Sequence, residues 1–93
     1  MEKAVEFAPP GRRIDLEGRG SIWVREHPDR TGGRPVVLLH GLGATAGLNW
    51  MGAFPRFDES LRVVAVDHRG HGRGIRTRRF SLEDCADDVA ALI

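Results

Sequence analysis

The sequence predicts an α/β fold in which an antiparallel hairpin feeds a parallel β-α-β unit. Three observations predict it. Two short all-apolar runs, Val36-Val37-Leu38-Leu39 and Val63-Val64-Ala65-Val66, have the composition of strands buried on both faces. Between them lies a stretch long enough for a helical crossover, and such a crossover joins parallel neighbours with a right-handed connection. Ahead of both, two segments of alternating polar and apolar residues flank the turn Gly18-Arg19-Gly20, which is the pattern of a hairpin.

Residues 1–10 end in Pro9-Pro10 and read as a flexible leader to a domain over 11–93. Residues 12–16 alternate charge with Ile14 and Leu16 and predict the first strand. Residues 21–27 carry Ile22, Trp23 and Val24 at their centre and predict the second, with Trp23 covering the sheet. Pro28, Asp29, Gly32, Gly33 and Pro35 mark a surface loop before the first apolar run. After it, residues 41–47 are Gly-rich and flexible. Asn49 is placed to cap a helix in which Trp50, Phe54, Phe57 and Leu61 share one face, although Pro55 must shorten or kink it. Residues 62–67 predict the fourth strand, 67–74 a tight Gly-rich turn and 75–80 a connector. Ser81, with Asp84 three residues on, opens the last helix like a capping box. Glu83 and Asp84 lie where the helix dipole favours negative charge. Leu82, Cys85, Ala86, Val89 and Ile93 form its apolar stripe. Asp87 and Asp88 fall on the wet side, and Asp84 and Asp88 read as surface charge.

Composition narrows the functional classes. The 93 residues hold one small domain, and 41% hydrophobic with 29% charged residues separates the chain from disordered ones. A net charge of +1 gives no overall pull toward nucleic acid or anionic lipid. Five arginines between Arg69 and Arg79 lack the interleaved aromatics of a single-strand binder and read as a solvated connector. The single cysteine, Cys85, excludes an internal disulfide and a multi-cysteine zinc site, and on the helix stripe it reads as a small hydrophobe. No apolar run has the length of a signal peptide core or of a membrane span. These features lead to the expectation of a cytoplasmic chain with no membrane and no nucleic-acid partner.

The chemistry concentrates at Leu39-His40-Gly41-Leu42-Gly43, where a buried strand ends. Without Cβ atoms at Gly41 and Gly43, the backbone can turn sharply and aim N–H groups at one point. A developing alkoxide needs such donors ~2.7–3.1 Å away, and one donor is worth ~10²–10³ in rate. Here, and at Asp67-His68-Arg69-Gly70-His71-Gly72, the sequence resembles the α/β-hydrolase family. His40-Gly41-Leu42-Gly43 matches that family's HG-x-x motif after its third strand, and residues 67–72 match its D-x-R-G-x-G turn after its fourth. The resemblance covers residues 11–93. It implies strands one to four of that sheet in spatial order 1-2-4-3, with the family's first two helices on the sheet faces. It also implies Leu42 N–H as an oxyanion-hole donor with Gly43 N–H as its neighbour, and His40, Gly41, Asp67, Arg69, Gly70 and Gly72 as support for the two turns. Trp50 is a candidate to line the pocket beside the oxyanion turn, and equally a residue packing the helix on the sheet. The activity implied is hydrolysis of a small-molecule ester, lactone, epoxide, halide or C–C bond, without a cofactor or metal.

The family's nucleophile sits in G-x-S-x-G on a strained strand-to-helix turn. Ser21, Ser60, Ser81 and Cys85 all lie in other contexts. The elbow is therefore expected about 15–25 residues past Ile93, with the acid and the histidine of the triad later still. The expectation is an amino-terminal fragment of a hydrolase, silent alone. Its residues 36–40 would form a bare apolar edge open to self-association.

A competing reading takes residues 36–67 as a dinucleotide-binding β-α-β, with Gly41 and Gly43 under the pyrophosphate and Asp67 at the ribose. Ala46 stands where the third glycine of G-x-G-x-x-G belongs, and that fold requires neither the preceding hairpin nor the Gly-rich turn after Asp67. The hydrolase reading is preferred. His68 and His71, three apart, have only Asp67 placed beside them as a third ligand, so no metal is expected.

Overall fold

The computed structural model describes residues 9–27 and 32–93. Most of the expected leader, and residues 28–31 of the expected loop, lie outside the described residues. The sheet begins with β1 (Gly11–Leu16) and β2 (Gly20–Arg25), paired antiparallel with Ile14 opposite Ile22 and Leu16 opposite Gly20. Gly18 and Gly20 take φ of 74° and 120° at the turn, a region closed to most other residues. β3 (Arg34–Leu39) and β4 (Leu61–Asp67) run parallel, with Val36 opposite Val63 and Leu39 opposite Val66. β2 meets β4 antiparallel through Trp23 and Asp67, so the spatial order is β1-β2-β4-β3, as the family resemblance implies.

Strand alternation divides the core into two clusters. Val64 and Val66 turn to one face with Leu16, Ile22, Val24 and Ile75. Val63 and Ala65 turn to the other with Leu38, Ala46 and Phe54. Helix α1 (Ala46–Trp50) covers β3 and β4 on the second face, and helix α2 (Leu82–Leu92) packs against β1, with Leu92 reaching the first cluster. Only β4 behaves as a strand buried on both faces, because it alone of the two apolar runs has a strand on each side. β3 is the sheet edge among the described residues, and its Leu39 remains 47% exposed.

Three expectations are corrected. The crossover is not one helix capped by Asn49. Thr45 is the cap, its Oγ1 accepting from Leu48 N–H at 3.2 Å, and α1 ends at Trp50. A short 3₁₀ turn, Phe54–Arg56, then begins with Pro55 in its first positions, and Leu61 already belongs to β4. The spacing of Trp50, Phe54, Phe57 and Leu61 did find residues that share a face, since all four contribute to the second cluster. Gly52 and Pro55 prevent that face from being carried by a continuous helix.

The second correction is on α2. Ser81 caps it as expected, its Oγ accepting from Asp84 N–H at 3.1 Å. Asp88, however, is not surface charge: it is 2% exposed. Arg69 donates to it from Nε and Nη2 and Arg19 from Nε, all at 2.7 Å. The helix is held to the sheet here by a buried carboxylate between two guanidinium groups, while Leu82 and Ile93 of the apolar stripe stay largely exposed. The third concerns Arg69 itself, which is mostly buried and tied to α2, so the basic connector is not uniformly solvated.

Candidate functional site

The turns after β3 and β4 lie side by side at the carboxyl ends of two parallel strands, where open α/β sheets place their ligand sites. Asp67, the last residue of β4, is buried and organises both turns. Its Oδ1 accepts from Ala46 N–H at 2.8 Å, its Oδ2 from Arg73 N–H at 3.0 Å. With both oxygens engaged by backbone, Asp67 does not present a carboxylate to a ribose. Gly72 is required beside it. Its φ is 47°, and a Cβ there would stand 2.5 Å from Asp67 Oδ2 and 2.8 Å from Thr45 Cγ2.

Two imidazoles tie the turns together. His40 is buried; its Nδ1 lies 2.7 Å from Gly41 O and its Nε2 accepts from His68 N–H at 2.9 Å. A carbonyl only accepts and an N–H only donates, so the ring carries its proton on Nδ1. The same logic holds for His71, whose Nδ1 faces Arg69 O at 3.0 Å and whose Nε2 accepts from Gly43 N–H at 2.9 Å. The ring of His68 stands edge-on to His40, with centroids 4.4 Å apart, and 6.5 Å from His71. Burial pushes the His68 imidazole below its ordinary value, and the neighbouring His40 and His71 rings add to that.

The consequence for the backbone between Gly41 and Ala44 is specific. Gly41 N–H donates to Asn49 Oδ1 at 2.7 Å, Gly43 N–H to His71 Nε2, and Ala44 N–H to Gly41 O at 3.2 Å. Leu42 N–H is the one donor of the turn with no partner among the described residues. Of the two oxyanion donors the sequence pointed to, Gly43 is therefore engaged by a side chain and Leu42 is not. Asn49, expected as a helix cap, instead holds the turn from inside α1.

A groove of about 480 Å³ opens beside this turn, with Leu39, Leu42, His68 and His71 on one wall and Phe80 and the Leu82, Cys85, Val89 face of α2 on the other. Trp50 does not line it. The indole packs against the cluster of Leu38, Ala46 and Phe54, because α1 lies over the sheet face rather than over its carboxyl end. Among the described residues no group of three or more His, Cys, Asp or Glu is placed to hold a metal ion, and no helix is long and apolar enough to cross a membrane. Cys85, on the α2 wall, is 5% exposed. Burial pushes its thiol up, Asp88 adds to the rise and Arg69 opposes it. Alkylation of Cys85 by iodoacetamide at pH 7.5 is expected to be at least tenfold slower in the native chain than in denaturant; equal rates would show the packing of α2 to be wrong.

Arg19, Asn49, His71 and Asp88 are the residues whose part in shaping the site sequence reasoning missed. Asp88 carried a weak signal, since a carboxylate one turn below the capping Asp84 can face the same neighbours. Arg19 sits in a hairpin turn far away in sequence and carried none.

A family model described as the alpha/beta hydrolase fold matches residues 34–93. Among curated proteins, the chain is 32% identical over 98 residues to a 2-(acetamidomethylene)succinate hydrolase of Mesorhizobium japonicum, covering 100% of this chain and 33% of the relative. It is 39% identical over 61 residues to a pimeloyl-[acyl-carrier protein] methyl ester esterase of Sodalis glossinidius, covering 66% and 23%. Among solved structures, an E-2-(acetamidomethylene)succinate hydrolase superposes with a TM-score of 0.75 at 30% identity, over 89% of this chain and 30% of that one. An epoxide hydrolase from an endophytic Streptomyces gives 0.75 at 25% identity, over 94% and 26%. The chain thus spans a third or less of the length of these relatives.

Proposed function

The chain belongs to the α/β-hydrolase fold family, and on that premise we propose that it is the amino-terminal part of a small-molecule hydrolase, in which Leu42 N–H is one donor of the oxyanion hole. The observation that carries this reading is that Leu42 N–H has no partner among the described residues, while the neighbouring amides of the turn are all engaged. A tetrahedral or alkoxide oxygen developing over the turn would take that hydrogen bond, at no cost in broken internal ones. The turn is preorganised for it by Asn49, His40 and His71, so little reorganisation is needed as charge appears. The groove beside Leu42 is lined mainly by apolar side chains, which suits a substrate with an apolar body and one polar reacting bond.

The nucleophile, the acid and the base of the reaction lie, in this proposal, in sequence following residue 93. Substrates of the relatives include an acetamidomethylene succinate and a carrier-bound methyl ester, so the reaction proposed here is hydrolysis of an acyl or related polar bond. Two measurements test the proposal together. The gene is expected to continue in frame past the Ile93 codon with G-x-S-x-G or G-x-D-x-G, and the purified 93-residue chain to leave p-nitrophenyl acetate at its buffer rate. A stop codon at that point, or saturable turnover by the chain alone, would overturn it.

A further inference from the structure

We propose that His71 is a positioning residue for the oxyanion turn: by accepting Gly43 N–H on Nε2 it withdraws that donor, and it releases it when the ring is protonated. The inference rests on the reading of residues 40–43 as an oxyanion turn and goes beyond it by saying which N–H groups the turn can offer, and when.

The geometry is a relay of two hydrogen bonds through one ring. Nδ1–H donates to Arg69 O at 3.0 Å, and the Nε2 lone pair receives Gly43 N–H at 2.9 Å. Arg69 O is fixed because its own side chain is anchored on Asp88. The ring is therefore a spacer of set length between the anchored turn after β4 and the turn after β3. Gly43 itself has φ of 80° and open space where a Cβ would be, and among the described residues its N–H donates to His71 Nε2. A proton added at Nε2 turns that atom from acceptor to donor. Gly43 N–H then faces N–H, the hydrogen bond is lost, and the amide is free to turn.

The groups that face His71 set how readily this happens. His40 is tilted against it with centroids 5.0 Å apart, His68 lies at 6.5 Å, and Phe80 from the connector packs on its edge at 5.4 Å. Across the groove α2 presents Cys85, and behind Arg69 stand Asp88, Asp84 and Arg19. Two imidazoles so close make a second positive charge in the cluster unfavourable, in line with the direction of the His68 shift. Of the ring nitrogens in this cluster, the Nε2 of His71 is the one that accepts from a donor of the turn after β3.

The test is an amide measurement on the chain itself. In ¹H–¹⁵N spectra between pH 8 and pH 5, the Gly43 amide shift is expected to titrate with the same midpoint as the His71 ring. Its exchange protection, corrected for the intrinsic rate, should fall about tenfold across that midpoint, the upper end for losing one hydrogen bond. In His71→Phe the protection is expected to be low at both ends of the range. In His71→Gln, whose carbonyl can accept the same N–H without titrating, it should persist without the step. A Gly43 amide that keeps its protection while the His71 ring titrates, or that is equally protected in His71→Phe, overturns the proposal. No turnover enters this test, so failure of the hydrolase reading would show in the gene and the ester assay, and failure of this one in the amide.

Discussion

Asp88→Ala is expected to lower the stability of the chain by about 3 kcal/mol or more, the range for removing one partner from a buried ion pair. A domain of this size has only ~5–15 kcal/mol in total, so the loss is a large fraction of its stability. The physical reason is what remains behind. Arg69 is 11% exposed and would keep its charge with only Asp84 left beside it, 4.0 Å from Nη1, whereas Arg19, at 25%, can partly turn to water. Asp88→Asn keeps the volume and should lose less. The pH dependence has a definite sign. Burial works against the charged carboxylate, but hydrogen bonds and attraction from Arg69 and Arg19 outweigh it and hold the group below the usual carboxylate range. A carboxylate depressed in the folded state stabilises fully above its unfolded pKa of ~3.9 and loses that contribution as pH falls through its folded value. Thermal melts should therefore separate wild type from Asp88→Asn at pH 7, and the two should begin to converge only as pH falls below about 4 toward the lower folded value of Asp88. Equal melting temperatures at pH 7 would mean that the pair contributes nothing.

Gly72→Ala is expected to cost about 3 kcal/mol by a different route. Its left-handed φ of 47° alone disfavours alanine by about 1 kcal/mol. The new Cβ would also displace the Asp67 carboxylate, which is the buried acceptor for Ala46 N–H and the tie to Arg73 N–H. Leaving a buried N–H without its acceptor adds about 1–3 kcal/mol. Gly43→Ala is the control: φ is 80°, but a Cβ there meets nothing within 4 Å, so only the backbone term applies. A thermal shift at least twice as large for Gly72→Ala as for Gly43→Ala is the expected result. Equal shifts would show that Asp67 does not hold the two turns together.

The four strands and the place of both Gly-rich turns were legible in the residues alone, and the order of the strands came from the family resemblance. Apolar runs, two-residue alternation and turn glycines act over a few positions and leave a local signature, and the family motifs fixed the remaining choice of strand order. The crossover was misread because side chains with helical spacing can share a face without a helix. Trp50, Phe54, Phe57 and Leu61 all reach one cluster through a short helix, a 3₁₀ turn and the start of a strand. Asp88 was misread for the opposite reason: its polarity suggested water, and nothing near it in the chain announces two arginines.

Local pattern was therefore enough to establish that this chain builds four strands with two glycine turns at one end, since hydrophobic periodicity and backbone freedom are properties of neighbouring residues. Which amide of the first turn is left without a partner, and which carboxylate is buried, were decided only by folding. Those outcomes depend on Arg19, Asn49, Arg69 and His71 arriving from separate segments, and a hydrogen bond between distant residues has no trace in the sequence around either one.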